Sequence, residues 1–235
     1  MLDFATFDSR GYRTVDVRSG YAEWVATYER TVEDAMDIDL LGALCEVPWS
    51  TFRRAADLGC GTGRTGAWLQ KQGVSSIDGV DLTPEMLAVA RSREVFSNLI
   101  EADVSSTGLG SEEYDLVTTC LVDEHLRELE PLYTEAWRLA QPSGTYVLVG
   151  YHPHFIMASG MPTHFDSDGE PVAIETYVHP LSEHVTSALA AGWTLVEMKE
   201  RVIDDAWLTL KPKWESLRGQ PITFAFAWRK ESRAA

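Results

Sequence analysis

The chain has 235 residues, 45% of them hydrophobic, which is enough apolar material for one sizeable core. Its formal net charge of -16 disfavours a nucleic-acid substrate, because phosphate backbones would be repelled at every approach. Its three cysteines form no C-x-x-C pair, which indicates a reducing compartment without a disulfide framework. The first residues show no secretory signal, and no apolar stretch approaches the ~20 residues needed to cross a bilayer. We therefore expect one cytoplasmic domain over residues 1–235, with a small-molecule substrate and no membrane or nucleic-acid partner.

Residues 55–64 read AADLGCGTGR and predict a strand that ends in a glycine turn. A helix-like run over 64–70 follows directly. Glycine is required in such a turn because it adopts φ values that other residues resist, and because a side chain would keep a ligand from the backbone. The unpaired amides at the start of the helix then face the ligand. The segment therefore predicts a nucleotide-binding turn.

The nature of that nucleotide depends on Asp57, which precedes the turn. Gly61, Gly63 and Gly66 also satisfy the dinucleotide pattern G-x-G-x-x-G, so the glycines alone are ambiguous. A carboxylate at the end of the strand repels a pyrophosphate but suits a ligand that carries an ammonium and a sulfonium. The run DLGCGTG over 57–63 resembles the first motif of the class I S-adenosylmethionine-dependent methyltransferases. A nicotinamide site and a purely structural turn are the alternatives.

Strands and helices alternate along most of the chain, which predicts an α/β fold. The expected strands cover 55–57, 76–81, 97–101, 114–119, 144–150, 193–199 and 222–228. The expected helices between them cover 64–70, 84–91, 123–139 and 179–191. Right-handed crossovers then give a parallel sheet with helices on both faces and ligands beyond the carboxyl ends of the strands. The resemblance, strong over 50–150 and elsewhere carried by element order, implies a Rossmann-like seven-stranded sheet whose last strand is antiparallel.

Two segments lie outside this alternation. Residues 1–14 are expected to be irregular, and helical spacing of Tyr21, Trp24 and Tyr28 predicts a helix, followed by a second helical stretch over about 31–44. The resemblance implies that 1–48 form an N-terminal helical lid over the donor. The stretch 151–178 is long and rich in aromatic residues and histidines, which predicts a cap-like insertion after the fifth strand, over the active site.

An acidic residue ends the second expected strand, about 20 residues after the glycine turn, where it can bind both ribose hydroxyls. This residue, Asp81, could equally cap the following helix. Asp103 follows the third strand, and the resemblance implies an acidic residue there that accepts a hydrogen bond from the adenine amino group, with a turn residue as the alternative. The resemblance implies S-adenosyl-L-methionine as donor and S-adenosyl-L-homocysteine as product. The residues expected to bind them are Asp57, Gly59, Cys60, Gly61, Gly63, Asp81, Leu82, Met86, Asp103, Val104 and Cys120.

The fourth strand faces the transferred methyl group in the resembling family, which makes His125 the candidate general base. A histidine that only packs or caps is the alternative. The candidate substrate contacts are Tyr21, Tyr28, His152, His154, His164 and Tyr177.

Five histidines lie between 152 and 184, and two of them with Asp166 resemble an iron-binding triad, but that triad normally belongs to a β-barrel. We therefore expect no metal.

The residues at the end of the fourth strand also exclude some classes of methyl acceptor. Residues 119–122 read TCLV rather than the Asn-Pro-Pro-Tyr type of motif found in nucleobase and glutamine methyltransferases. Acidic ligands of the magnesium-dependent catechol type are also missing there. The expected function is methyl transfer to a small molecule, at oxygen. Transfer to nitrogen or carbon, a nicotinamide-dependent oxidoreductase and a non-catalytic donor-binding module are the alternatives, and the sequence leaves the oligomeric state open.

Overall fold

The structure, a computed structural model, describes residues 2–231. Its strands are β1 (Leu2–Asp3), β2 (Arg13–Val15), β3 (Arg54–Leu58), β4 (Ser76–Asp81), β5 (Asn98–Glu101), β6 (Tyr114–Cys120), β7 (Ala140–Tyr151), β8 (His164–Ser167), β9 (Glu170–Ile174), β10 (Tyr177–Val178), β11 (Trp193–Val202) and β12 (Pro221–Lys230). Its α-helices are α1 (Val17–Thr31), α2 (Ile38–Ala43), α3 (Arg64–Gln72), α4 (Pro84–Ser92), α5 (Glu130–Leu139), α6 (Pro153–Ser159), α7 (Leu181–Ala191) and α8 (Asp205–Leu210).

Within residues 2–231, seven of these strands form one sheet in the order β11-β12-β7-β6-β3-β4-β5. The pairs β7-β6, β6-β3, β3-β4 and β4-β5 are parallel, whereas β12 runs antiparallel to both of its neighbours. The order changes direction beside β3, so the carboxyl ends of β3 and β6 border a crevice in which ligands of such sheets bind. The expected Rossmann-like sheet with an antiparallel last strand is confirmed.

The strand β12 shows why helices cover both faces of the sheet. Successive side chains of a strand point to opposite faces. Phe224, Phe226 and Trp228 accordingly pack in the core beneath α5 and α7, while Ala225 and Ala227 pack in the core beneath α2 and α3. All five are completely buried. Large residues on one face and small residues on the other fix which layer of helices each face accepts.

The N-terminal segment is not irregular, contrary to the expectation for residues 1–14. Within the described part, β1 pairs with β10, and β2 joins β9 and β8 in a small second sheet. Residues 151–178 therefore carry secondary structure of their own rather than a loop. The strands β1 and β2 have only two and three residues and depend on partners far along the chain, so they leave no local pattern.

Two helices also begin or end elsewhere than expected. The stretch over 31–44 divides into a 3-10 turn (Asp34–Met36) and α2. The helix expected from 123 starts only at Glu130, and Asp123–His125 form a separate 3-10 turn. Pro131 lies in the first turn of α5, where its missing N–H costs nothing, and it disfavours helix before it. No helix within residues 2–231 combines the length and apolar character that crossing a bilayer requires.

Candidate functional site

A cleft of about 150 Å³ lies at the carboxyl ends of β3, β4 and β6. Eight of the eleven residues expected to bind the donor border it: Gly59, Gly61, Asp81, Leu82, Met86, Asp103, Val104 and Cys120. Tyr21 and Tyr28 from α1 and His125 from the 3-10 turn after β6 border it as well. The sequence therefore predicts most of the wall of the cleft, and the roles of these residues in donor binding stay predictions.

The glycine turn after β3 has the backbone that its sequence predicts. Gly59 and Gly61 have φ values of 72° and 52°, in the left-handed region that favours glycine. A Cβ on Gly59 would lie 2.3 Å from Cγ2 of Val122, so that position has no room for a side chain. A Cβ on Gly61 would meet no protein atom within 4 Å. Gly61 therefore faces open space in the cleft, where a ligand can reach the backbone.

Asp81 occupies the end of β4 and has two backbone partners. Its Oδ2 accepts a hydrogen bond from Gly61 N–H at 2.8 Å, and its Oδ1 accepts one from Thr83 N–H at 2.8 Å. Burial raises the pKa of this carboxyl, although these amides oppose the shift. Asp81 thus ties the glycine turn to the start of α4, and each oxygen keeps a second lone pair for a ligand. Asp103 shows turn chemistry too, since its Oδ1 accepts from the Ser105 amide at 2.8 Å.

Three of the residues expected to bind the donor do not border the cleft. Cys60 is buried, and its Sγ packs against β4, 2.9 Å from where a Cβ on Gly79 would be. Gly63 is the N-cap of α3. Asp57 is 1% exposed and accepts a hydrogen bond from Thr118 at 2.8 Å, while its Oδ2 has no partner within residues 2–231. Burial raises the pKa of Asp57 to about 7, although the hydrogen bond from Thr118 lowers it in part.

Tyr21 and His125 form a hydrogen-bonded pair in the wall of the cleft. The Tyr21 hydroxyl lies 2.9 Å from His125 Nε2, and His125 Nδ1 lies 2.7 Å from the Glu175 carbonyl oxygen. A carbonyl only accepts, so Nδ1 donates and, in the neutral ring, Nε2 accepts from the tyrosine. Burial raises the pKa of Tyr21 well above its usual range, so this hydroxyl keeps its proton. The role of His125 as a base stays a prediction, and its occupied Nε2 weighs against it.

A second cavity, of about 540 Å³, adjoins the cleft. Tyr21, Tyr28 and Leu121 border both spaces. Glu33, Lys211 and Lys213 are among the charged residues that border it. Five of its other side chains are aromatic, and we call it the aromatic cavity: Trp24, Tyr151, Phe165, Trp207 and Trp214. The strand β8 and the preceding residues 162–163 supply one wall, so the insertion after the fifth strand does contribute to this cavity.

Glu124 borders the aromatic cavity and was not predicted as a site residue. It is 3% exposed, its Oε1 accepts a hydrogen bond from the Thr163 hydroxyl at 3.0 Å, and its Oε2 has no partner within residues 2–231. Burial raises its pKa to about 7, against the opposing effect of His125, whose Nε2 lies 3.8 Å from Oε1. In the sequence, Asp-Glu-His after a strand looks like an ordinary capped helix start, so nothing there indicates that the Glu124 carboxyl is buried.

The histidine cluster of the sequence does not form a cluster in space. His164 borders the aromatic cavity as expected, whereas His152, His154 and Tyr177 border neither the cleft nor the cavity. His152 Nε2 lies 2.9 Å from Glu200 on β11, and His154 is exposed. The Tyr177 hydroxyl is engaged by Glu175 and Arg127. Their role as substrate contacts stays a prediction, although they border neither of these two spaces. Within the described residues, no three potential ligands are placed to hold a metal ion.

The helix α1 is held over the cleft by ion pairs at both of its ends. Near its start, Arg18 lies 2.6 Å from Glu101 at the end of β5. Near its end, Glu29 lies 2.6 Å from Arg93, and Glu29 also accepts a hydrogen bond from Thr62 in the glycine turn. These groups are partly exposed, so each contact is individually weak. Together they fix the helix that carries Tyr21.

Comparisons with known proteins agree with this geometry. Residues 56–148 match the family model described as a methyltransferase domain. The chain is 29% identical over 101 residues to malonyl-acyl-carrier-protein O-methyltransferase of Enterobacter lignolyticus, covering 43% of this chain and 40% of that protein. It is 34% identical over 84 residues to trans-aconitate 2-methyltransferase of Rhizobium etli, covering 35% of this chain and 33% of that protein. The aligned part of the chain thus spans less than half the length of either relative.

A solved structure extends the likeness beyond the matched region. The S-adenosylmethionine-dependent methyltransferase of Mesorhizobium loti superposes with a TM-score of 0.65 at 22% sequence identity. The superposition covers 83% of this chain and 97% of that one. At this level of identity the likeness establishes the fold, and the chemistry of the acceptor has to be argued from the side chains of this chain.

Proposed function

We propose that this chain is a class I S-adenosylmethionine-dependent methyltransferase that transfers a methyl group to an oxygen atom of a small molecule. The observation that carries the proposal is the shared wall of Tyr21, Tyr28 and Leu121 between the cleft and the aromatic cavity. Two molecules bound side by side would meet at this wall, and alignment of the reactants is the main requirement of such a transfer. Oxygen is favoured because one relative is an O-methyltransferase.

The residues of the cleft fit a donor that is positively charged. S-adenosylmethionine, when bound, supplies an electrophilic methyl group on a sulfonium. Asp57 does not border the cleft, but it lies two residues before Gly59, and a negative charge there would favour a cationic methionine end in the open space at Gly61. Asp81 would hold the ribose hydroxyls and Asp103 the adenine amino group. The apolar side chains bordering the same space would flank the adenine: Leu82, Met86 and Val104.

The helix α1 would exclude water from the junction. It contributes Tyr21 and Tyr28 to both spaces, and its ion pairs to Glu101 and Arg93 tie it to the domain that binds the donor. Exclusion of water strengthens the electrostatic contacts inside the site and prevents wasteful hydrolysis of the donor. We propose the residues up to 48 as the lid of the site on this ground.

Calorimetry with S-adenosylhomocysteine and with NAD tests the proposal directly. We expect saturable binding of S-adenosylhomocysteine and none of NAD, because a carboxyl behind the turn disfavours a pyrophosphate. Tight binding of NAD alone would sink the proposal. The acceptor is then sought with methyl-labelled S-adenosylmethionine and a metabolite extract. Firm donor binding without transfer to any acceptor would favour a non-catalytic module.

A further inference from the structure

The carboxyl of Glu124 has no assigned task in the fold or in donor binding. It is 3% exposed, borders the aromatic cavity and keeps one oxygen without a partner among the described residues. Leaving a buried polar atom unpaired destabilises the fold, so such an atom calls for an explanation such as a ligand. Within residues 2–231, the carboxyl of Glu124 accepts a hydrogen bond from the Thr163 hydroxyl, which holds one oxygen in place and leaves the other without a partner.

We propose that Glu124 is the general base of this enzyme and that its acceptor is a flat aromatic molecule with a hydroxyl group. This inference rests on the proposed function and names its acceptor class. Glu124 lies on the side of the cavity that adjoins the cleft. Its neighbour His125 borders the cleft, and His125 Nε2 is 3.8 Å from Glu124 Oε1. His125 is the positioning residue in this arrangement, because its Nε2 is occupied by the Tyr21 hydroxyl.

The walls of the cavity favour a flat aromatic acceptor. Trp24 stacks between Tyr21 and Phe165, with ring centroids 5.8 Å and 5.9 Å apart. Trp207 and Trp214 border the space from the C-terminal part of the chain. A cavity of about 540 Å³ with such walls is of the size that holds a drug-sized ligand. Aromatic walls of this kind favour offset stacking on a planar ring system.

A buried carboxylate suits a hydroxyl better than an ammonium for this chemistry. An ammonium paired with Glu124 would carry its lone pair in an N–H bond and could not attack. A hydroxyl that donates to the carboxylate keeps lone pairs on its oxygen. In the transfer, the O–H proton passes to the Glu124 carboxylate, an oxygen lone pair forms the new O–C bond, and the donor sulfur keeps the electron pair of the broken S–C bond. The pKa of Glu124, raised to about 7 by burial, suits a base at neutral pH.

A matched set of coumarins tests the inference: 7-hydroxy-4-methylcoumarin, 4,7-dimethylcoumarin and 7-amino-4-methylcoumarin. Their binding to the chain loaded with S-adenosylhomocysteine is followed by quenching of tryptophan emission, since three tryptophans border the cavity. We expect the hydroxyl compound to bind at least about tenfold more tightly than the dimethyl compound, the size expected for a hydrogen bond to a charged group. Glu124→Leu should abolish this preference. Glu124→Gln should keep it, because the carboxamide oxygen still accepts.

Turnover separates binding from proton transfer. With S-adenosylmethionine and 7-hydroxy-4-methylcoumarin, Glu124→Gln should lower kcat by about 100-fold or more with little change in KM, because an amide cannot take the proton. Glu135→Gln replaces another buried glutamate, which borders neither space, and turnover should be that of the wild type. A wild type that binds S-adenosylhomocysteine but prefers the dimethyl or amino compound, or a Glu124→Gln variant with full turnover, overturns the inference. A wild type that does not bind S-adenosylhomocysteine overturns the proposed function instead.

Discussion

The Tyr21 hydroxyl donates a hydrogen bond of 2.9 Å to Nε2 of His125, across 104 positions of the chain. This bond joins the helix α1 to the turn after β6, so it closes the wall between the cleft and the aromatic cavity. The imidazole is fixed from its other side by the Glu175 carbonyl, which belongs to the insertion. Three distant segments of the chain thus meet at one ring, and they must all be folded before the wall exists.

Tyr21→Phe should therefore destabilise the protein. The substitution leaves Nε2 of a histidine that is only 8% exposed without its donor, which costs about 1–3 kcal/mol. Tyr28→Phe is the matched control, because the Tyr28 hydroxyl has no hydrogen bond within residues 2–231, and we expect a change below about 0.5 kcal/mol. Urea unfolding followed by circular dichroism measures both. Equal stability of the two variants would show that the Tyr21 bond adds nothing net.

Gly61→Ala should abolish donor binding while the protein still folds. Its Cβ would meet no protein atom within 4 Å, so the cost to folding is limited to about 1–2 kcal/mol for a left-handed alanine. The new methyl group would occupy the open space of the cleft instead. Calorimetry with S-adenosylhomocysteine measures the loss, and a thermal melt checks the fold.

Gly59→Ala is the contrasting variant at the same turn. Its Cβ would lie 2.3 Å from Cγ2 of Val122, so the turn or the strand end must shift, and we expect a larger fall in melting temperature than for Gly61→Ala. A Gly61→Ala variant that binds S-adenosylhomocysteine as the wild type does would show that the donor does not approach this backbone.

The central sheet could be predicted because its signals are local. The prediction of β4 over 76–81 is confirmed, since Gly73 ends the helix before it and Pro84 opens the helix after it. The strands β1 and β2 could not be predicted, because two or three residues carry no periodicity. Leu2 pairs with Val178 and Arg13 with Val172, so each strand exists only through a partner more than 150 residues away.

The residues of the candidate site also divide into those with a local sequence signal and those without one. The glycine turn and Asp81 were predictable, because a backbone conformation and a strand end restrict the residue types locally. Glu124 was missed because its burial is imposed by the insertion, whose Thr163 lies 39 positions away. His152 was expected near substrate because it lies near other histidines in the sequence. The sheet turns it toward Glu200 instead.

Asp81→Ala should weaken donor binding by about 1–3 kcal/mol, the range for lost hydrogen bonds to a charged group. The change also frees the amides of Gly61 and Thr83, which Asp81 now accepts from. Asp39→Ala removes an exposed carboxyl that borders neither space, and it should bind the donor as the wild type does. Calorimetry with S-adenosylhomocysteine measures both variants. An unchanged affinity in Asp81→Ala would refute its assignment to the ribose.

Asp57→Asn should remove part of the dependence of stability on pH. Burial raises the pKa of Asp57 from 3.8 to about 7, so the folded protein holds a proton that the unfolded chain releases. The stabilisation is complete below the unfolded value and is lost as the pH rises through about 7, by up to about 1.4 kcal/mol per pH unit between the two. The wild type should therefore lose stability relative to Asp57→Asn between pH 4 and 7. Urea unfolding across this range measures the difference, with Glu128→Gln, at an exposed carboxylate, as the control. Parallel curves for the wild type and Asp57→Asn would mean that Asp57 is ionised in the folded protein throughout.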